Sequence, residues 1–372
     1  AEALGEAMRT PSFHYLFWSF FVCGFQTAFI MLHLPAFVVD SGMSANIGMT
    51  AVAMIGLFNI FGSFLSGWLG GLYSKKRLLA WIYALRIVAI LFPLFAIASV
   101  GFIVGRRLRP DLSQANKLNM DVFVPALIFG ALANKSFQIM EYLPLLGATV
   151  VAVFGSGLLG WGVARALGVA PRTFVPPMMF NNCGNLGLPL AVLAFGDAAL
   201  APAVVMFMVS NLAHFTFGAW LLDHNIKLSG VWRIPTVIAT FGGLAVSLAG
   251  VELWQPAMLA IKMLGDISIP LMLFALGVRI SESRIGAIRL GVIGAVARPA
   301  IGLALSFVLV WLIPLPERER ALLIVFGALP PAVLNYMFAE RYNQEPEKVA
   351  SMVLLGNVLA VLFLPLALAI SL

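Results

Sequence analysis

The chain has 372 residues, 61% of them hydrophobic and 10% charged, with a mean hydropathy of +0.99. Soluble globular domains carry roughly 25% charged residues, and the long, non-alternating apolar runs do not suit an outer-membrane barrel, so both classes are excluded. The formal net charge of +7 is ascribed to basic loops at one membrane face, not to a nucleic-acid surface.

In chain order, apolar segments are expected at about 13–38, 50–72, 78–105, 118–133, 143–167, 173–196, 199–222, 234–250, 257–279, 287–313, 320–340 and 348–371. Most approach the roughly 20 residues that cross a hydrocarbon core. The opening AEALGEAMRTPSFHYLF has no basic n-region and no cleavage site, so no signal peptide is read there. Cys23 and Cys183 both fall in apolar segments, which argues against a disulfide framework. The connecting loops leave no room for a cytoplasmic ATPase or kinase domain.

The stretch FNNCGNLGLPL, residues 180–190, interrupts one of these segments. Asn, Gly and Pro weaken helices, and lipid tolerates broken backbone only where protein or water covers it. The plain reading is a kinked structural helix. The functional reading is stronger, because Asn181, Asn182 and Asn185 are echoed by Asn335 after the Pro330–Pro331 pair.

The echo extends along the chain. Asp121 and Asp266 each stand four residues before a proline, in DVFVPALIFGAL and DISIPLMLFALG. Pro189 pairs with Pro331, and Asn211 with Asn357, so the offsets are 145, 142 and 146 residues. This defines two units of five segments, about 92–222 and 234–371. An odd number of spans per unit inverts the second copy, the architecture of many secondary transporters.

Charge orients the spans. One set of loops carries 13 basic residues: Arg106, Arg107, Arg109, Lys117, Arg165, Arg172, Lys227, Arg233, Arg279, Arg284, Arg289, Arg341 and Lys348. The other side has Lys135, Lys262, Arg318 and Arg320. The first set is expected in the cytoplasm, which puts the C-terminus outside.

The motifs PLFAIASVGFIVGRRL, PALIFGALA, NNCGNLGLPLAVLAFG, SIPLMLFALGV and PPAVLNYMFAERY together resemble the auxin efflux carrier family in its short bacterial form, over about residues 91–372. The resemblance implies ten helices in two inverted repeats, with the fourth and ninth broken and crossing, and transport of organic anions such as malate and malonate. Residues 1–90 instead resemble part of a major facilitator superfamily carrier, with GWLGGLYSKKR as its basic loop. They are read as a fusion remnant. The 28 residues between the Lys75–Arg77 cluster and Arg106 suit one tilted span, not two.

The expected fold is therefore an all-α polytopic membrane protein: a ten-helix inverted 5+5 repeat with two broken crossing helices, plus two to three extra N-terminal transmembrane helices. Its expected function is secondary active transport of a small organic anion, such as a dicarboxylate, by alternating access. Asn181, Asn182, Asn185 and Asn335, with Gly184 and Pro331 beside them, form the expected substrate site. Gly187, Pro189 and Pro330 shape the breaks. Asp266 and Asp121 are the candidates for proton or sodium coupling, with helix capping as the plainer reading.

Arg298 would either clamp a carboxylate or snorkel from the cytoplasmic end of its helix, and the second is favoured. His214, Asn119, Asn211 and Asn357 are read as interhelical hydrogen-bond partners, not as ligands. No cofactor, metal site or nucleic-acid partner is expected. The expected partners are the lipid bilayer, the anion and a second copy in a homodimer, and the location is the inner (plasma) membrane. The rival classes are a non-transporting receptor or scaffold and an intramembrane enzyme. The second lacks HExxH, GxSxG, Walker and Cys/His motifs.

Overall fold

A computed structural model describes residues 44–134, 137–224, 228–282 and 286–371, with positions 10, 34, 35 and 38. The expected first segment lies almost wholly outside the described residues. So do Cys23, Lys135, Lys227 and Arg284.

The chain divides into two units, Ala1–Ile82 and Tyr83–Leu372. In the first, α1 (Ala45–Leu72) carries no charged residue. Phe58, Phe61, Phe64 and Trp68 are all exposed along it, as a helix bathed in lipid allows. The boundary falls inside α2 (Lys75–Leu108), a single 34-residue helix. One helix therefore fills the stretch between the two basic clusters, as its length requires.

The second unit continues with α3 (113–132), α4 (Leu143–Leu167), α5 (Pro171–Met179), α6 (Cys183–Phe195) and α7 (200–222). It then runs through α8 (Pro235–Ala249), α9 (Gln255–Glu282), α10 (Ile288–Leu312), α11 (Glu317–Ala328), α12 (Val333–Arg341) and α13 (Pro346–Ser371). No strand occurs among the described residues, and 7 helices are long and apolar enough to cross a membrane. The fold is that of an all-α polytopic membrane protein.

Proline and glycine punctuate these helices in the usual order. Pro144 and Pro235 sit in the first turns of α4 and α8, where a missing N–H costs nothing. Gly168 and Gly250 end the same helices at φ 66° and φ 63°, a left-handed conformation that suits glycine. Inside the spans, Pro125 and Pro189 each follow a π-turn, at Asn119–Phe123 and Cys183–Gly187. Each proline lacks the N–H that a regular helix would direct back four residues, and the wider turn absorbs the loss.

α10 packs against α13, α11, α4 and α5, while α3 packs against α8 and α9. Small residues let backbones touch. A Cβ on Gly101 of α2 would strike the carbonyl oxygen of Phe274 in α9, and one on Gly277 would strike that of Ala98. Gly101 and Gly105 form a GxxxG pair, the spacing that lets membrane helices approach closely. Gly302 of α10 and Gly327 of α11 meet in the same way.

The first break differs from the expected one. The helix stops at Phe180–Asn182, and Gly187 and Pro189 lie inside the helix that resumes. Pro189 follows the π-turn Cys183–Gly187, which absorbs the loss of its N–H. Gly187 instead allows close approach, since a Cβ there would lie 2.9 Å from Leu329 Cδ1. The second break, at Leu329–Ala332, does contain Pro330 and Pro331. Leu329 is extended at ψ 141°, as a residue before proline prefers.

Candidate functional site

The two breaks lie against each other. Asn181 and Pro331 form a short antiparallel pair. In it, Asn182 N–H donates to the Pro330 carbonyl at 2.8 Å and Ala332 N–H to the Phe180 carbonyl at 3.0 Å. This pairing fixes the position of the first break. Two interrupted strands of backbone, each costly in lipid, satisfy one another.

Side-chain amides cap what remains. Asn181 Nδ2 donates to the Phe326 carbonyl at 2.7 Å, near the C-terminus of α11. Asn335 Nδ2 donates to the Phe180 carbonyl at 2.9 Å and to that of Ala332 at 3.0 Å. Asn357 Nδ2 reaches the Pro331 carbonyl at 3.1 Å, and its Oδ1 accepts from Asn182 Nδ2 at 2.8 Å. Asn182, Asn335 and Asn357 therefore spend donors on the crossing itself.

Arg298 differs from its expected place at a helix end. It lies within α10, is 1% exposed, and donates from Nη1 to the Gly327 carbonyl at 3.3 Å. A guanidinium there faces the carbonyl end of α11, where the helix dipole favours positive charge. Nothing in its sequence context, ARPAIG, separates this role from snorkelling.

The opposite polarity is left open. α6 and α12 both begin at the crossing, so their N-terminal N–H groups converge there. Those of Cys183, Gly184, Asn185, Val333 and Leu334 have no backbone acceptor among the described residues. All five residues line one cavity of about 200 Å³. Asn116, Asn119, Asn181, Asn182, Ser210, Asn211 and His214 line it too, with Arg279 toward the far end of α9. Among the described residues, no aspartate or glutamate lines it. Asn185 makes no side-chain hydrogen bond among the described residues, whereas the other asparagines of the breaks do.

Of the expected substrate residues, Asn181, Asn182, Gly184 and Asn185 line this cavity, and Asn335 and Pro331 support it from behind. The expected coupling residues stand elsewhere. Asp266 is 58% exposed in an ion pair with Lys262 at 2.9 Å, one turn away on α9. Asp121 is exposed on the π-turn of α3. Neither Asp266 nor Asp121 lines the cavity at the crossing.

Asp266 instead lines a second cavity of about 760 Å³, with Asp197, Glu252, Lys262 and Arg318. The two cavities occupy opposite ends of α3 and α9: residues 116–124 and 272–279 line the first, 126–134 and 255–269 the second. Among the described residues, no group of three or more His, Cys, Asp or Glu could hold a metal ion.

His214 and Asn119 matter more than their sequence suggested. Both are buried and line the first cavity, and neither His214 Nε2 nor Asn119 Oδ1 has a hydrogen-bond partner among the described residues. The signal available was periodicity: Ser210, Asn211 and His214 fall on one face of α7, three and four residues apart.

Crossed broken helices inside an all-α membrane fold define an integral membrane protein with an internal polar site. Residues 86–227 and 224–368 both match the membrane transport protein family, and the chain belongs to that family. It is a membrane transporter. A Rhizobium meliloti protein named "Putative malonate transporter" is 24% identical over 309 residues, covering 74% of this chain and 93% of its own. An "Uncharacterized transporter" of Methanocaldococcus jannaschii is 22% identical, with 68% and 87% covered. "Auxin efflux carrier component 8" of Arabidopsis thaliana is 22% identical, with 76% and 96% covered. These matches bear out the auxin-efflux-carrier resemblance. The major-facilitator likeness of residues 1–90 gains no support from them.

Proposed function

We propose that the protein is a secondary active transporter of small organic anions, with dicarboxylates such as malonate as its substrate class. One observation carries this reading. Two half-helix N-termini and a ring of carboxamides converge on a cavity that, among the described residues, no carboxylate lines. Unpaired N–H groups at helix N-termini bind anions without a buried cation. The printed name of the Rhizobium relative is in keeping with it.

The transport mechanism is alternating access, supported by two cavities at opposite ends of the same helices. An inverted 5+5 repeat is supported by α4 and α10, both 25 residues long and 145 positions apart. The basic loops favour a cytoplasmic mouth for the first cavity and an external C-terminus in the plasma membrane. A thermal-shift screen of the purified protein over mono- and dicarboxylates tests the substrate class. Stabilisation by malonate, absent with a neutral diamide of the same length, is the expected result. Equal response to both compounds would remove the anion reading.

A further inference from the structure

We propose that His214 is the proton-carrying residue of this cavity, so that a proton and the anion bind together. The inference rests on the anion reading above and adds the coupling group, which neither Asp266 nor Asp121 is placed to supply.

His214 sits in the π-turn His214–Gly218 of α7 and is 4% exposed. Its ring is stacked on Phe180, with centroids 4.1 Å apart and planes 7° apart, and meets Phe338 edge-on at 4.9 Å. Phe180 opens the first break, and Phe338 belongs to α12 beyond the second. The imidazole is thus wedged between the two elements that meet at the crossing. It lines the cavity, and Nε2 has no hydrogen-bond partner among the described residues. A buried nitrogen left unpaired is costly, and such groups call for a partner.

Asn335 neighbours the ring but carries no charge, so it cannot balance a proton there. Among the described residues, the other ionisable side chains lining the cavity are Cys183 and Arg279. On the packed elements, Asp121 of α3 and Glu340 and Arg341 of α12 are exposed, and Asp223 lies past the end of α7. Among the described residues no carboxylate lines the cavity to balance a proton on His214, so the counter-charge comes with the ligand. A buried charge is tolerated only when paired. Proton and carboxylate therefore favour each other by the same free energy, which is reciprocal coupling. Nε2 takes a proton from water at the cavity mouth as the anion enters, the N–H then donates to the carboxylate, and both depart together.

The test is calorimetric titration of malonate into the purified full chain, repeated in buffers of different ionisation enthalpy. About one proton should be taken up per malonate bound, and affinity should fall by up to about tenfold per unit of pH above neutrality, the slope for one linked proton. In His214→Gln the uptake should vanish and the affinity become pH-independent. Because that variant could lose its fold, imidazole 15N shifts are also read in a chain with His14, His33 and His224 replaced by Gln. Malonate should move His214 to the protonated form. Malonate binding without proton uptake, uptake that survives in His214→Gln, or an unchanged His214 signal would overturn the inference and leave the anion reading intact. Absence of binding by any mono- or dicarboxylate would overturn both.

Discussion

Asn182 and Asn185 are three residues apart and do different work. Asn182 spends its amide on Asn357, so Asn182→Ala strips a buried partner from Asn357 Oδ1. Interhelical hydrogen bonds in membranes are worth about 0.6–2 kcal/mol, and the loss should appear as a lower thermal midpoint. Asn185 lines the cavity with no side-chain hydrogen-bond partner among the described residues. Asn185→Ala should keep the midpoint and weaken malonate binding by about tenfold, the effect of a lost hydrogen bond to a charged group at the low end of its range. Equal effects of the two substitutions on binding and on stability would merge roles that the geometry separates. The sequence marked all these asparagines as special through their clustering and repetition. It could not say which donors face a ligand, because that depends on where Phe326, Phe180 and Pro331 present their carbonyls. The same holds for Asp266, which read as intramembrane but pairs with Lys262 on an exposed face.

At the scale of elements, helix positions were legible because hydropathy sets them. The segment expected at 143–167 is α4 to the residue, and 257–279 lies within α9. The breaks were less so. Pro330 and Pro331 mark theirs directly, but the first break is fixed by pairing with the second across about 150 residues, which local propensity does not encode. Close helix contacts give a sharper test. Gly101→Ala and Gly277→Ala should each destabilise by about 1–3 kcal/mol, the cost of forcing extra atoms into a packed contact. Gly162→Ala, where a Cβ would meet nothing, should be tolerated. Measured unfolding midpoints check the contrast.

Glu345 lies in the turn just before α13. Lys348 and Thr173 both hydrogen-bond Glu345, and these contacts hold its carboxyl below the usual glutamate range. A depressed carboxyl stabilises the fold above its unfolded pKa, and that contribution is lost as pH falls through the folded value. Glu345→Gln should therefore lower the thermal midpoint at neutral pH, with the difference closing in acid. A difference that persists unchanged below the glutamate range would contradict the assignment.

For the whole molecule, every residue lining the first cavity lies between 116 and 337, inside the family match. Removing residues 1 to about 77 should leave malonate-induced stabilisation unchanged in a thermal-shift comparison. Loss of that response would give the N-terminal part a role in the site. Class and family were legible because composition and motif order survive at low identity. Substrate identity was not, since it rests on which polar groups a cavity leaves unpaired. The most direct measurement is uptake of labelled malonate into proteoliposomes carrying the full chain, against empty liposomes, with an inward proton gradient imposed. Accumulation above the empty control, competed by other dicarboxylates and not by the neutral diamide, is the expected result. Uptake no greater than in empty liposomes for malonate and for every mono- or dicarboxylate tried would contradict organic-anion transport by this protein.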